Sequence, residues 1–164
     1  MFGRVPIRDV GSLDDIAGFV SSGDEAWVLI FDVDNTLAPQ ESPLDEFSVL
    51  VNAVIDRFES APGVERVIAL TNGPQRGVPR MLSRGDKPWT PRRRLGLRGV
   101  TSPIVVVGDQ ILTDGVLAWR LGATFLHLVI DAETEPRQQA RMRRVGRMVT
   151  RIFFRREGPT AGGR

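Results

Sequence analysis

Three observations predict an α/β fold, a doubly wound, Rossmann-like parallel sheet with helices on both faces. Apolar runs at WVLIF (27–31), RVIAL (66–70), PIVVVG (103–108) and 123–130 alternate with stretches of helical character. Each run is apolar throughout, as strands buried on both faces are, rather than alternating in and out. Strands linked through helices form parallel sheets, and right-handed crossovers then place helices on both sides.

The elements follow in order. SLDD (12–15) is a capping box that opens a short helix running to about Ser22. The run 27–31 is a buried strand. SPLDEFSVLVNAVIDRFES (42–60) is the clearest helix, with Ser42 as cap, Pro43 at the first helical position and Asp45 completing the box. Phe47, Leu50, Val51, Val54, Ile55 and Phe58 form its apolar stripe. The run 66–70 is the second strand. Residues 74–84 read as a short helix between Pro74 and Gly85, although Pro79 works against it. The third strand is 103–108. A helix over 114–121 closes at Gly122, and 123–130 is the fourth strand. Residues 137–156 read as a last helix, basic and amphipathic, with Met142, Val145, Val149, Ile152 and Phe153 on its apolar stripe. The remainder, 157–164, reads as a loose tail, leaving one domain over 1–156.

Bulk composition bounds the function. A chain of 164 residues with 41% hydrophobic and 26% charged residues suits one globular core. No apolar run approaches the roughly 20 residues of a membrane span. The opening stretch MFGRVPIRDVGS is polar and broken by Pro6 and Gly11, unlike a signal peptide, so a cytoplasmic protein is expected. The absence of cysteine excludes disulfides and thiolate chemistry, and a single histidine argues against a histidine-rich transition-metal site. That histidine, His127, lies in an apolar strand and reads as structural. A pI near 10.2 accompanies a net charge of only +2, because almost nothing titrates between neutrality and the arginines. The basic residues are unevenly placed: 76–98 and 137–156 are rich in them and nearly free of acids. Of the 22 basic residues, one alone is lysine, Lys87. Codon bias can produce that, and so can a site that needs a compact ammonium rather than a planar fork.

In doubly wound sheets, ligands bind beyond the carboxyl ends of the strands. The first strand ends into Asp32, Asp34, Asn35 and Thr36, the second into Thr71, Asn72 and Gly73, and the third into Gly108, Asp109 and Gln110, followed by Asp114. Taken one strand at a time, these residues suit helix caps and turns as well as a site. Taken together, they bring Asp32, Asp34, Asp109 and Asp114 to one edge. Two like charges ~4 Å apart repel by roughly 4 kcal/mol at an effective dielectric near 20, so the cluster must hold protons or a cation. With oxygen ligands only, that cation is Mg²⁺, which shares its shell with phosphate oxygens. Thr71 and Asn72 add neutral donors. A cation, donors and a free carboxylate describe phosphoryl transfer, with Asp as nucleophile through an aspartyl-phosphate.

FDVDNTLAP, with its Asp-x-Asp-x-Thr after a strand, resembles the first motif of the haloacid dehalogenase (HAD) phosphohydrolases. ALTNG resembles their second motif, KP at 87–88 their third, and VVVGDQILTD their fourth, in the same order. More narrowly, the set is similar to the YqeG-type branch of subclass IIIA, related to mitochondrial phosphatidylglycerophosphate phosphatases. The resemblance implies roles. Asp32 is then nucleophile and metal ligand. Asp34 is the general acid/base, with its backbone carbonyl on the metal. Thr71 and Asn72 bind phosphate. Lys87 neutralises the nucleophile and the phosphoryl oxygens. Asp109 binds Mg²⁺ directly or through water, and Asp114 orients that shell or Lys87. A response-regulator receiver also combines acids, Mg²⁺, Thr and Lys, but its lysine follows the accepting Asp after the last strand. Here Lys87 precedes Asp109.

Members of this superfamily commonly carry a cap domain. The stretches between the motifs here are too short for one, which implies a capless, HAD-like fold, an open site and a large or membrane-associated phosphoester. The expected function is a Mg-dependent phosphomonoester hydrolase, with phosphatidylglycerophosphate as the first substrate. The alternatives are a nucleic-acid end phosphatase and a non-catalytic scaffold on the same fold. The helix 137–156 is either packed with a solvated outer face or a surface for anionic lipid on the inner face of the membrane. The loop 87–94, with Trp89 and three arginines, suits a headgroup or nucleic acid.

Overall fold

The structure is a computed structural model that describes residues 3–83, 86–129 and 149–156. Its elements are β1 (Val5–Val10), α1 (Leu13–Ser21), β2 (Trp27–Asp32), α2 (Leu44–Glu59), β3 (Val64–Leu70), β4 (Met81–Leu82), β5 (Ile104–Gly108), a π-helical turn (Ile111–Gly115), α3 (Val116–Leu121), β6 (Thr124–Leu128) and β7 (Phe154–Arg156). The strands form one sheet in the order β4-β3-β2-β5-β6-β1-β7, with every pairing parallel.

The strand side chains alternate between two cores. Leu29 and Phe31 of β2 pack with Ile16 and Val20 of α1 and with Phe47, Val51, Ile55 and Phe58 of α2. Val28 and Ile30 pack on the other face with Leu117, Ala118 and Leu121 of α3. A central strand apolar at every position is thus explained, since both of its faces carry helices. From β2 the chain runs outward to β3 and β4, then returns to β5 on the other flank of β2. The winding reverses between β2 and β5, which opens the crevice where such sheets bind ligands.

Three sequence expectations are corrected, and one strand is added. The opening stretch, to which the sequence pattern assigns no element, carries β1, which lies inside the sheet and buries Val5, Ile7 and Val10. Pro6 pairs with Arg155 of β7, and pairing with β6 begins only at Ile7. Residues 74–84 are not a helix, since Arg76 has φ 46° and Gly77 φ 74°, which no right-handed helix accommodates. They form turns leading to β4, and 84 and 85 lie outside the described residues. Ser42 does not cap α2: the N-cap is Pro43, with no side-chain cap bond, and the Ser42 carbonyl instead accepts from Arg76. The last helix stops at residue 153, because Phe154–Arg156 form β7 against β1 and bury Phe154. The rest of the expected helix, 137–148, and the expected tail, 157–164, lie outside the described residues. Among the described residues, no helix is long and apolar enough to cross a membrane.

Candidate active site

β2 ends at Asp32, a buried carboxylate that accepts the Val33 N–H through Oδ1 at 2.8 Å. The chain then turns tightly. Asn35 takes φ 61° and donates its N–H to the Ala38 carbonyl at 2.8 Å, and Asp34 bridges to Ala38. Asparagine is among the few residues with a side chain that enter this region readily. The turn keeps Asp34 at the strand end, where its Oδ2 accepts the Thr71 hydroxyl. Thr71, the first residue beyond β3, is buried, and its Oγ1 also accepts the Gly73 N–H at 2.9 Å.

Lys87 arrives from the loop after β4. Asn72 anchors that loop, its Oδ1 accepting the Lys87 N–H at 2.7 Å. The Lys87 side chain is 4% exposed, and its Nζ donates to Asp32 Oδ1 and, at 2.9 Å, to Asp114 Oδ1. Asp114 sits on the π-helical turn after β5, formed by the Gly115 N–H reaching the Gln110 carbonyl five residues back. Its Oδ2 accepts the Gln110 N–H at 3.3 Å. Gly108 makes room for it: a Cβ there would lie 2.3 Å from Asp114 Oδ2. Asp109 directs a buried Oδ1 that has no hydrogen-bond partner among the described residues. Its carbonyl faces His127 Nε2 at 3.2 Å, while His127 Nδ1 faces Asp9 Oδ1 at 3.0 Å.

Asp32, Asp109 and Asp114 offer carboxylate oxygens that all lie within 4.8 Å of one another. Burial and the neighbouring Asp114 push Asp32 up to about 7, against the pull of Lys87. Burial and Asp32 push Asp109 up to about 6. Burial also raises Asp114 against the pull of Lys87. Burial draws the Lys87 ammonium down, but Asp114 and Asp32 together outweigh it, so its pKa is raised. One ammonium faces three carboxyl groups, two of them buried and Asp109 partly so, and the Asp109 Oδ1 is left without a partner among the described residues. The donor set is all oxygen and suits a hard divalent cation.

The structure therefore gathers Asp32, Asp109, Asp114 and Lys87 into one cluster at the β2/β5 reversal, with Asp34 and Thr71 beside it. Asp34 keeps its carboxylate outside the three-carboxylate group, so the structure does not bring it in among the candidate metal ligands. Asn72 is exposed, and its side-chain oxygen is engaged by the lysine loop. No family model, curated protein or solved structure matches the chain. Sequence reasoning missed Arg76, whose Nη1 lies 4.0 Å from Asp34 Oδ1. As one arginine among many outside the motifs, it carries no sequence signal. A separate open hollow of about 450 Å³, lined by Arg8, Asp9, Asp14, Asp15 and Phe19 among others, includes none of the clustered residues.

Proposed function

We propose that this chain is a Mg²⁺-dependent phosphomonoester hydrolase of the HAD type, without a cap, acting through an aspartyl-phosphate. The observation that carries the reading is the buried Lys87 ammonium donating to both Asp32 and Asp114 inside a three-carboxylate cluster. Asp32, Asp109 and Asp114 would hold the cation, together with the Asp34 carbonyl. Once bound, it would neutralise charge on the nucleophile and the phosphoryl oxygens.

The chain's own residues account for the remaining steps. An Asp32 carboxylate oxygen attacks phosphorus while the bond to the leaving oxygen breaks. The leaving oxygen keeps that electron pair and takes a proton from Asp34. Water then attacks the phosphorus of the acyl phosphate and gives a proton back to Asp34. The bond to Asp32 breaks, which releases phosphate and restores both carboxyl groups. Thr71, Asn72 and Lys87 donate to the phosphoryl oxygens, where positioning and charge neutralisation supply most of the catalysis.

The described parts of 33–43 and 71–103 carry only turns, bends, an isolated bridge and the two-residue strand β4. This favours an open site and a large phosphoester. Trp89, two residues beyond Lys87 and 67% exposed, is available to the rest of such a substrate. Phosphatidylglycerophosphate is the first substrate to test, with contact to anionic lipid through loop 87–94 and the basic C-terminal segment as part of the proposal.

The test is Asp32→Asn with its fold verified. Turnover should fall at least about a thousandfold, as removal of a nucleophile does; unchanged turnover would refute the mechanism. A panel of lipid, nucleic-acid-end and small phosphoesters with and without Mg²⁺ decides the substrate. Turnover of nucleic-acid ends alone would favour the end-phosphatase alternative, and a flat panel would favour the scaffold.

A further inference from the structure

Arg76 lies in the connection from β3 to β4, outside every motif, and the structure ties it to the residue that would handle the proton. Its guanidinium donates from Nη1 to the Gln40 carbonyl and from Nη2 to the Ser42 carbonyl, both at 2.7 Å. These carbonyls belong to the segment that carries the chain from Asp34 into α2. The guanidinium carbon stands 3.9 Å from the centroid of the buried Phe47 ring, close enough for a cation–π contact. Nη1 also lies 4.0 Å from Asp34 Oδ1, whereas Asp34 Oδ2 accepts the Thr71 hydroxyl. The Arg76 side chain is only 18% exposed. Its backbone takes φ 46°, a left-handed conformation that costs energy for a residue with a Cβ. Such conformations persist where the surroundings over-determine them, often beside functional groups.

Two cations thus face three of the four site carboxylates. Lys87 holds Asp32 and Asp114, and Arg76 faces Asp34. A lysine at position 76 could supply charge but not the planar fork that reaches two carbonyls while stacking on a ring.

We propose that Arg76 is a positioning residue for Asp34, clamping the segment that follows it and fixing the orientation of its carboxyl group toward the leaving oxygen. The proposal rests on the phosphatase reading and assigns Arg76 no direct contact with substrate. Its consequence depends on the leaving group. An alkoxide departs only with a proton from Asp34, whereas p-nitrophenolate departs readily without one. A misoriented Asp34 therefore slows the first ester far more than the second, and chiefly in kcat, because the proton moves only in the transition state.

The experiment measures kcat and KM on glycerol phosphate and on p-nitrophenyl phosphate, with Mg²⁺, for the wild type, Arg76→Met and Arg76→Lys, each checked for folding by thermal melting. Arg76→Met should lower kcat about 50-fold on the alkyl ester and about 3-fold on the aryl ester, with KM within about twofold, as loss of acid catalysis does. Arg76→Lys should fall between wild type and Met, and it carries the test if the Met variant does not fold. Equal losses on the two esters, or a loss confined to KM, would overturn the role of Arg76 alone. A wild type that hydrolyses neither these esters nor any phosphoester of the panel above would instead bring down the phosphatase reading, and this proposal with it.

Discussion

Lys87 and the three clustered aspartates show how burial turns ordinary residue types into a reactive set. Position 87 is enclosed and its ammonium reaches two carboxylates at once. A guanidinium there is bulkier and planar, so Lys87→Arg should lower turnover roughly a hundredfold, as a misplacement near 1 Å can; a fully active variant would mean that the lone lysine is an accident of codon usage. The same cluster predicts a pH effect. Asp32 rises from 3.8 to about 7 and Asp109 from 3.8 to about 6, burial being the first cause of each. In the unfolded chain both are ionised well below these values. The folded, cation-free protein therefore binds more protons than the unfolded chain between about pH 4 and 7, and this contribution to stability falls as pH rises through that window. Cation-free protein should melt lower at pH 8 than at pH 5.5, and Asp32→Asn should flatten that slope. Mg²⁺ should raise the melting temperature more at pH 8, where the carboxylates are ionised. Melting curves at the two pH values check both, and an equal Mg²⁺ shift at each would contradict the assignment of the cluster as its site.

At the level of elements, two similar-looking helix starts behave differently. Ser12 caps α1, its hydroxyl accepting the Asp15 N–H at 3.2 Å, and Asp15 returns to the Gly11 N–H at 2.9 Å. Ser42 offers only its carbonyl, to Arg76. Ser12→Ala should therefore cost about 1 kcal/mol, while Ser42→Ala should stay within about 0.5 kcal/mol. Denaturant titration of the two variants distinguishes them, and equal costs would remove the distinction. Local pattern sufficed to locate α1, β2, α2, β3, β5 and β6, whose apolar runs or stripes lie within each segment. It failed at 74–84, where the helical spacing is overruled by left-handed backbone at Arg76 and Gly77. It failed also at β1 and β7, short strands whose existence depends on pairing with each other and, for β1, with β6.

For the molecule as a whole, the end of the described chain supports the site. Phe154 of β7 is buried, and a Cβ on Gly115 would lie 3.1 Å from both its Cζ and Phe125 Cε1. The two rings thus pack against the turn that carries Asp114. Phe154→Ala should cost about 3–5 kcal/mol through the cavity it leaves. It should also reduce turnover although it lies outside the catalytic cluster. A stability assay paired with turnover at a temperature where the variant remains folded tests both; unchanged turnover would mean that the turn holds its place without the ring.

The sequence by itself determined the parallel α/β class, the edge on which the polar residues gather, and the identities of Asp32, Asp34, Thr71, Asn72, Lys87, Asp109 and Asp114 as its candidates. These are local properties, carried by apolar runs and by the residues just beyond them. Only the tertiary structure decided which carboxylates share the ammonium, that Asn72 anchors the lysine loop, and which arginine stands beside Asp34. Those contacts join residues far apart in the chain, 55 positions in the case of Lys87 and Asp32. They exist because the sheet reverses its winding between β2 and β5 and brings separate strand ends together.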